Sequence, residues 1–249
     1  MRQKLTMGFL DHLEELRKRI LISLVAILVV AGVALIFSNT LLKVLLIPSG
    51  GLQLNAFSLM DGFMIKLRIA LYIGVAAAFP IWGFELYQFI VPGLKDRERK
   101  ALLPGLLAST CLFILGVLFG YYLLTEMIKV MIGLFPPEVN FLPAADDYIS
   151  FVTFFLVACG TAFQLPVILT ILVELHILSA AILKKQRKIA YFALFVFAEI
   201  VTPVSDPIVA PMIVMVPLLV LYEASILVAV RIDANRLKAS REIAGKGTV

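Results

Sequence analysis

Six long apolar stretches, separated by short polar segments, dominate the sequence. A membrane-spanning helix needs ~20 mostly apolar residues to cross ~30 Å of hydrocarbon. We therefore predict an all-α membrane protein with six transmembrane helices. The stretches are residues 20–37, 69–91, 101–125, 149–173, 189–202 and 208–230, and Glu85 interrupts the second of them.

The end of this pattern predicts short spans. The fifth stretch ends near Thr202, because Pro203, Pro207 and Pro211 follow it. A helix over residues 189–202 is roughly 21 Å long at the standard rise, which is less than the thickness of the hydrocarbon. We predict that the last two spans are both short and that the bilayer beside them is thin. Hydrophobic lengths near ~30 Å for both spans would contradict this prediction.

The composition excludes most other classes of protein. Hydrophobic residues make up 61% of the 249 residues, charged residues make up 16%, and the mean hydropathy is +1.02. A soluble domain is typically ~45–50% apolar, and a chain of this length cannot bury such an excess of apolar surface. Ordinary soluble, disordered, collagen-like and disulfide-rich proteins are therefore excluded.

The basic residues predict the orientation in the membrane. Of the 22 Lys and Arg residues, 18 lie in the two terminal segments and in the connections between spans 2 and 3 and between spans 4 and 5. The positive-inside rule places these four segments, including both termini, in the cytoplasm. We therefore predict a cytoplasmic amphipathic helix over residues 1–19, a six-helix transmembrane domain over residues 20–230 and a basic cytoplasmic tail over residues 231–249. Topology thus explains the net charge of +5, and no nucleic-acid partner is indicated.

The longest external segment, residues 38–66, has apolar residues at helical spacing near its end. They are Leu59, Met60, Phe63, Met64 and Leu67. This spacing indicates a short amphipathic helix that lies at the outer surface of the membrane. An ordered loop that caps the helix bundle is an equally good interpretation.

The sequence lacks common catalytic signatures. It contains no nucleotide-binding G-x-x-x-x-G-K-[ST] motif, no H-E-x-x-H motif and no G-x-S-x-G motif. The only two histidines, His12 and His176, are far apart in the sequence. We therefore expect no catalytic residues, no metal and no cofactor, and an enzyme is disfavoured.

A few polar residues interrupt the apolar spans or lie at their ends. Gln164 is near the midpoint of span 4, two residues before Pro166. A polar side chain in hydrocarbon is costly unless it is paired, so Gln164 indicates a contact between helices or a pathway. Alternatively, Gln164 bonds to local backbone that Pro166 frees. Glu223 lies near one end of span 6, and Asp206 lies in an external turn, where a turn role is the default.

Two acidic residues stand among the bases of the predicted cytoplasmic segments. Glu15 and Arg19 are four residues apart with the acid first, which is the favourable order on a helix. On spacing alone, Glu15 forms a surface ion pair worth only ~0.3–0.5 kcal/mol. Glu98 is surrounded by basic residues in the connection between spans 2 and 3, and on spacing alone it belongs to a solvated loop.

Four motifs change this interpretation of the acidic residues. They are H-L-x-E-L-R-x-R from His12, F-I-x-P-G-L-x-x-x-E-R from Phe89, T-P-x-x-D-P from Thr202 and P-L-L-V-L-Y-E from Pro217. In this order they resemble the motifs of the TatC family, the multispanning receptor subunits of the twin-arginine (Sec-independent) protein translocase. The resemblance covers roughly residues 9–231, and the second motif is the most specific of the four.

The resemblance implies a function, a location and partners. It implies that the chain recognises signal peptides with two consecutive arginines and helps to move folded proteins across a membrane by means of the proton-motive force. The implied location is the cytoplasmic membrane of a prokaryote, with an organellar membrane as the alternative. The implied partners are small single-span subunits of the TatA/TatB type, other copies in a hetero-oligomer, and membrane lipid.

The resemblance also implies a binding site. Two cytoplasmic glutamates of the family bind the arginines, and they match Glu15 and Glu98, with Leu16, Arg17 and Phe89 in the same region. An arginine presents a planar fork of donors to a carboxylate, which a lysine does not.

A second set of polar residues is expected to form contacts within the membrane or with partner subunits. These residues are Gln164, Thr202, Asp206 and Glu223. Many family members have a glutamate at the position of Gln164, so the resemblance does not imply a proton-carrying role there.

A proton- or ion-coupled transporter of small solutes is the competing hypothesis. Such a transporter needs a site near the middle of the membrane, usually at broken helices in two related halves of the chain. Gln164 with Pro166 is the only good candidate for such a site, and no counterpart of it is evident in the other half.

Overall fold

The structure is a computed structural model that describes residues 9–90, 102–133, 135–136, 142–202 and 209–246. Within these residues the chain forms ten α-helices and no strand longer than an isolated bridge between Asn55 and Ala144. The helices are Phe9–Ile36 (α1), Ser38–Leu46 (α2), Asp61–Ala77 (α3), Phe79–Ile90 (α4), Leu102–Gly133 (α5), Ala145–Ala162 (α6), Leu165–Glu174 (α7), Ala180–Lys185 (α8), Arg187–Val201 (α9) and Val209–Lys246 (α10). The predicted all-α class is confirmed.

Four helical stretches in the described residues are long and apolar enough to cross a membrane. They are His12–Ile36, Gly105–Gly133, Ala145–Glu174 and Ala210–Leu237. The pair α3 and α4 makes a fifth if it forms one bent span. Helix α9 has only 15 residues and falls short of the ~20 residues of an ordinary span. The count of six spans therefore stays a prediction.

The prediction that both last spans are short is correct for one of them and wrong for the other. Helix α9 is about 22 Å long at the standard rise, and it begins and ends within two residues of the predicted bounds. Helix α10 has 38 residues, and its apolar stretch of 28 residues is long enough to cross the hydrocarbon. The predicted stretch, residues 208–230, already has 23 residues, which is enough to cross the hydrocarbon, and the helix continues beyond it to Lys246. Local thinning of the bilayer is therefore expected beside α9 only.

The second predicted span is bent and begins earlier than expected. Its axis turns by 51° between α3 and α4, and Pro80 lies in the first turn of α4. Proline lacks the backbone N–H of a regular helix, so a kink at this place has a clear cause. At the other end, the Asp61 carboxylate accepts hydrogen bonds from the backbone N–H groups of Phe57 and Ser58 at 2.7 and 2.9 Å. These bonds hold the turn from which α3 begins.

A separate amphipathic helix around residues 59–67 is therefore a wrong prediction. Phe63, Met64 and Leu67 lie in α3 itself, which continues towards the apolar stretch. The short helix of the external segment is instead α2, further upstream. The prediction fails because the helix of the second span extends beyond the apolar stretch and includes the charged residues Lys66 and Arg68.

Contacts divide the chain into two compact units, and the first comprises residues 1–111 and 142–157. In this unit α1 packs against α3 and α4. Ala31, Ile65 and Ile69 are buried in its core. Helix α1 is continuous from Phe9 into the apolar stretch.

The second unit comprises residues 112–141 and 158–249, and α10 packs there against α7, α8 and α9. Arg236 of α10 donates hydrogen bonds to the carbonyl oxygens of Val173 and Glu174 at 2.9 and 2.8 Å. Asp233 accepts a hydrogen bond from the backbone N–H of Ala180 at 2.9 Å. The C-terminal part of α10 and the connection between α7 and α9, both rich in basic residues, therefore lie at the same end of this unit.

The contact between α1 and α3 predicts a strict size limit at Gly74. A Cβ atom on Gly74 would lie 2.7 Å from the Cβ of Ala31 and 2.9 Å from its Cα. We expect Gly74→Ala to destabilise the protein by about 1–3 kcal/mol through overpacking, measured as a lower Tm in detergent. The control is Gly32→Ala, because nothing lies within 4 Å of a Cβ at that position. Equal Tm values for the two variants would contradict the close contact.

Candidate functional site

A groove lies between α1 and α4 in the first unit. Its volume is about 270 Å³, and its surface is almost entirely apolar. It is lined by Leu16, Arg19, Ile20, Ser23, Leu24, Ile27, Trp82, Leu86 and Phe89. Pockets for small-molecule ligands typically measure ~300–1,000 Å³. At about 270 Å³ this groove is smaller than such pockets. It is therefore suited to a few apolar side chains of a larger ligand and not to a whole small molecule.

A cluster of three charged side chains lies beside this groove. Arg19 donates hydrogen bonds from Nε and Nη2 to Oε1 of Glu15, at 3.1 and 2.8 Å. Its third bond runs from Nη1 to Oε2 of Glu85, at 2.7 Å. The Glu15 side chain is 22% exposed, whereas that of Glu85 is 10% exposed. One carboxylate is thus accessible to a ligand and the other is enclosed.

Helix geometry and burial explain how this cluster forms. Glu15 and Arg19 are one turn apart on α1, so the ion pair predicted from their spacing is confirmed. Glu85 belongs to α4 and lies 66 positions from Arg19 in the sequence. A buried carboxylate in an apolar helix is stable only with a partner. Arg19 is that partner, and the ion pair connects α4 to α1.

Glu85 and Arg19 were not among the residues predicted for the site. The available signal was Glu85 itself, a single acidic residue inside an otherwise apolar stretch. Such a residue requires a cation nearby. The sequence does not show which of several basic residues supplies it, because the pairing depends on how α4 packs against α1.

The structure brings three predicted site residues together. Leu16 and Phe89 line the groove, and Glu15 is held beside it by Arg19. The Phe89 ring stacks on the imidazole of His12, with ring centroids 4.4 Å apart and an angle of 19° between the planes. This stacking positions the end of α4 against the first turns of α1.

Of the other two predicted site residues, the structure describes only Arg17. Arg17 is exposed and is not among the residues that line the groove. Glu98 lies outside the described residues, so its place beside Glu15 stays a prediction.

Three of the four predicted intramembrane residues are described by the structure, and all three lie in the second unit. Gln164 is buried in the turn between α6 and α7, and Pro166 occupies the first turn of α7. The predicted fourth span is therefore interrupted between Ala162 and Leu165. The Thr202 hydroxyl is buried and donates to the carbonyl oxygen of Ala198 at 2.7 Å. Asp206 lies outside the described residues.

Glu223, the fourth of these residues, has two polar partners. It forms an ion pair with Arg187 at 2.6 Å, and the Tyr191 hydroxyl donates to its Oε1 at 2.6 Å. These contacts join α10 to the first turns of α9. The part of the chain that the structure describes contains no group of three or more His, Cys, Asp or Glu side chains that suits a metal ion.

Comparison with known proteins identifies the family. Residues 11–217 match the family model described as the Sec-independent protein translocase protein TatC. The chain belongs to the TatC family. It is therefore a subunit of the Sec-independent protein translocase, which is a transport component, and a multi-pass membrane protein.

Individual TatC proteins match over nearly their whole length. The chain is 33% identical to a TatC of Carboxydothermus hydrogenoformans over 95% of this chain and 98% of the relative. It is 35% identical to TatCy of Bacillus subtilis over 90% of this chain and 89% of the relative. A crystal structure of the twin-arginine translocase receptor TatC in the detergent DDM superposes with a TM-score of 0.79 at 32% identity, covering 88% of this chain and 99% of that one.

The TatC match includes the whole groove. All residues of the groove and of the charged cluster fall within residues 11–217, as do Gln164, Thr202 and Asp206, whereas Glu223 lies beyond that range. The groove and the charged cluster therefore lie in the part of the chain that matches the TatC family model.

The pairing of Glu85 predicts a loss of stability when its carboxylate is removed. We expect Glu85→Ala to cost about 2–3 kcal/mol, less than the ~3–5 kcal/mol of a fully buried pair, because Arg19 keeps Glu15 as a partner. The measurement is the Tm of the purified protein in detergent. Glu14→Ala is the matched control, since Glu14 is exposed on α1 and exposed substitutions usually change stability by less than ~0.5 kcal/mol. A Tm change no larger for Glu85→Ala than for Glu14→Ala would show that the pair does not hold α4 to α1.

Proposed function

We propose that this chain is the signal-peptide receptor of the translocase. It binds signal peptides with two consecutive arginines at its cytoplasmic face, and with small single-span partner subunits it moves folded proteins across the membrane by means of the proton-motive force. The observation that carries the proposal is the partly exposed carboxylate of Glu15 beside an apolar groove between α1 and α4. A ligand with an arginine followed by apolar residues matches both features.

The chemistry favours arginine over lysine at this carboxylate. A guanidinium is always charged and offers two parallel N–H donors to the two oxygens of a carboxylate. The motif resemblance pairs Glu15 with Glu98, so each carboxylate takes one arginine of the peptide. Leu16 and Phe89 line the groove that receives the apolar part of the peptide.

Partner subunits are assigned to the second unit. Of the three candidate residues that the structure describes, Glu223 is the best placed, because its side chain is 38% exposed whereas Gln164 and Thr202 are buried. Thr202 is buried and bonds to its own helix, so its role is to shape the end of α9. The solved structures that this chain resembles are those of twin-arginine translocase receptors, which supports assigning the receptor role to this chain too.

Binding is expected to depend on Glu15. We expect Glu15→Gln to weaken the binding of a twin-arginine peptide about 10- to 100-fold, the equivalent of one charge-assisted hydrogen bond of ~1.5–3 kcal/mol. Trp82 is the only tryptophan of the chain and lines the groove. Quenching of its fluorescence by a quencher-labelled apolar segment of the peptide therefore measures occupancy of the groove.

Two controls accompany this measurement. Glu14→Gln removes the same charge from a neighbouring exposed position and should leave the affinity unchanged. A peptide with two lysines in place of the arginines should bind more weakly to the unchanged protein. Equal affinities for both peptides, together with no effect of Glu15→Gln, would refute the receptor function.

The proposed orientation has a separate test. Lys43 lies on α2 in a predicted external segment, and Lys185 ends α8 in a predicted cytoplasmic one. We replace each by Cys in a variant without Cys111 and Cys159, and treat intact cells with a membrane-impermeant maleimide. The residue at 43 should react, and the residue at 185 should react only after lysis. The reverse result would invert the topology, and labelling of both from outside would contradict the six-span count.

A further inference from the structure

The Glu15 carboxylate is not vacant, since an arginine of the chain already occupies it. Arg19 donates two hydrogen bonds to Oε1 of Glu15, from Nε at 3.1 Å and from Nη2 at 2.8 Å. A guanidinium on a carboxylate is the same chemistry that the proposed function assigns to the signal peptide. An incoming arginine must therefore share Glu15 with Arg19 or displace it.

The three side chains differ in how accessible they are. Glu15 is 22% exposed, Arg19 is 20% exposed, and Glu85 is only 10% exposed. A ligand in the groove therefore reaches Glu15 more easily than Glu85. The bond from Arg19 Nη1 to Glu85 Oε2, at 2.7 Å, is the shortest of the three bonds and the most protected.

We propose that Arg19 is an internal competitor for Glu15, and that Glu85 is the positioning residue that retains Arg19 when an arginine of the signal peptide takes its place. This inference rests on the proposed function and deepens it. The empty receptor holds Arg19 across both carboxylates. The occupied receptor holds Arg19 on Glu85 alone, and Glu15 binds the peptide.

Charge pairing explains why both carboxylates are needed. Leaving a partly buried guanidinium without a counterion is costly. Glu85 stays paired with Arg19 before and after a peptide arginine replaces Arg19 on Glu15. Neither Arg19 nor Glu85 is therefore left without a counterion. Without Glu85, the displaced Arg19 would have no carboxylate, and it would hold Glu15 more firmly against the peptide.

The same exchange makes the receptor more selective. A peptide arginine replaces the two N–H bonds that Glu15 loses when Arg19 leaves. A lysine has no planar fork of donors and replaces them less well. Competition with Arg19 therefore penalises lysine peptides more than arginine peptides, and Arg19 is a determinant of specificity.

The decisive experiment compares three variants by Trp82 fluorescence, with twin-arginine and twin-lysine peptides. Arg19→Lys keeps the charge but loses the fork that spans both carboxylates, so Glu15 becomes available. We expect the twin-arginine peptide to bind about three- to fivefold more tightly, the equivalent of one partly exposed ion pair. The affinity for the twin-lysine peptide should rise by a larger factor. The ratio of the affinity for the twin-arginine peptide to that for the twin-lysine peptide therefore falls.

The other two variants test the role of Glu85. In Glu85→Gln, Glu15 is the only one of the two carboxylates that remains for Arg19. We therefore expect the twin-arginine peptide to bind this variant more weakly than it binds the unchanged protein. In the double variant Arg19→Met with Glu85→Gln the competitor is absent, and binding should be tighter than to the unchanged protein. If the ion pair between Arg19 and Glu85 were only structural, no variant would bind either peptide more tightly than the unchanged protein does.

A matched control excludes a general effect of charge. Lys18→Met removes a positive charge one residue from Arg19, at an exposed position, and it should leave the affinity ratio of the two peptides unchanged. If Arg19→Lys and the double variant bind no more tightly and keep the ratio, the competitor role is wrong. If the double variant does not fold, as judged by its Tm, Arg19→Lys alone decides.

Failure of the proposed function would look different. In that case the unchanged protein does not distinguish arginine from lysine peptides, and Glu15→Gln has no effect. If discrimination and dependence on Glu15 are present but Arg19 and Glu85 do not modify them, only the competitor role is refuted.

Discussion

The ion pair between Arg19 and Glu85 is the interaction on which the candidate site depends. Hydrocarbon does not solvate a carboxylate, so an acidic residue on α4 is stable only where a cation meets it. The cation comes from α1, where Arg19 lies one turn after Glu15. The pair therefore connects the two helices that form the groove, and it also determines which groups Glu15 contacts before any ligand arrives. Stability and recognition share the same three side chains.

In the second unit, side chains of α10 also bond to backbone groups at the ends of neighbouring helices. The final carbonyl groups of a helix have no partner within the helix. Arg236 binds those of α7, and Tyr222 donates to the carbonyl oxygen of Leu183 in α8 at 2.9 Å. Asp233 accepts from the first N–H of α8. One long helix thus supplies side chains that complete the ends of two short ones, which explains how α7 and α8 are held although each is too short to be stable alone.

Local sequence features predicted the helices well where a single physical rule applies. The apolar lengths identified α1, α5, α6 with α7, and α10, because each stretch must satisfy its backbone within the membrane. The fourth stretch forms two helices and not one, because α7 begins anew beside Pro166. The unpredicted breaks lie at prolines. Pro80 lies at the bend between α3 and α4, and Pro166 lies at the break before α7, whereas α10 continues through Pro217 as the predicted span did. The effect of a proline depends on what its neighbours can supply in place of the missing hydrogen bond.

By itself the sequence determined the all-α class and the pairing of Glu15 with Arg19, because these follow from residue type and from spacing along one helix. Four motifs along the chain indicated the family. The motifs also marked Leu16 and Phe89 as part of the site. Only the tertiary structure decided that Glu85 is the second partner of Arg19, and that His12 stacks on Phe89. The physical reason is that these contacts join residues more than 60 positions apart, and their distance depends on the packing of α4 against α1, which no local pattern encodes.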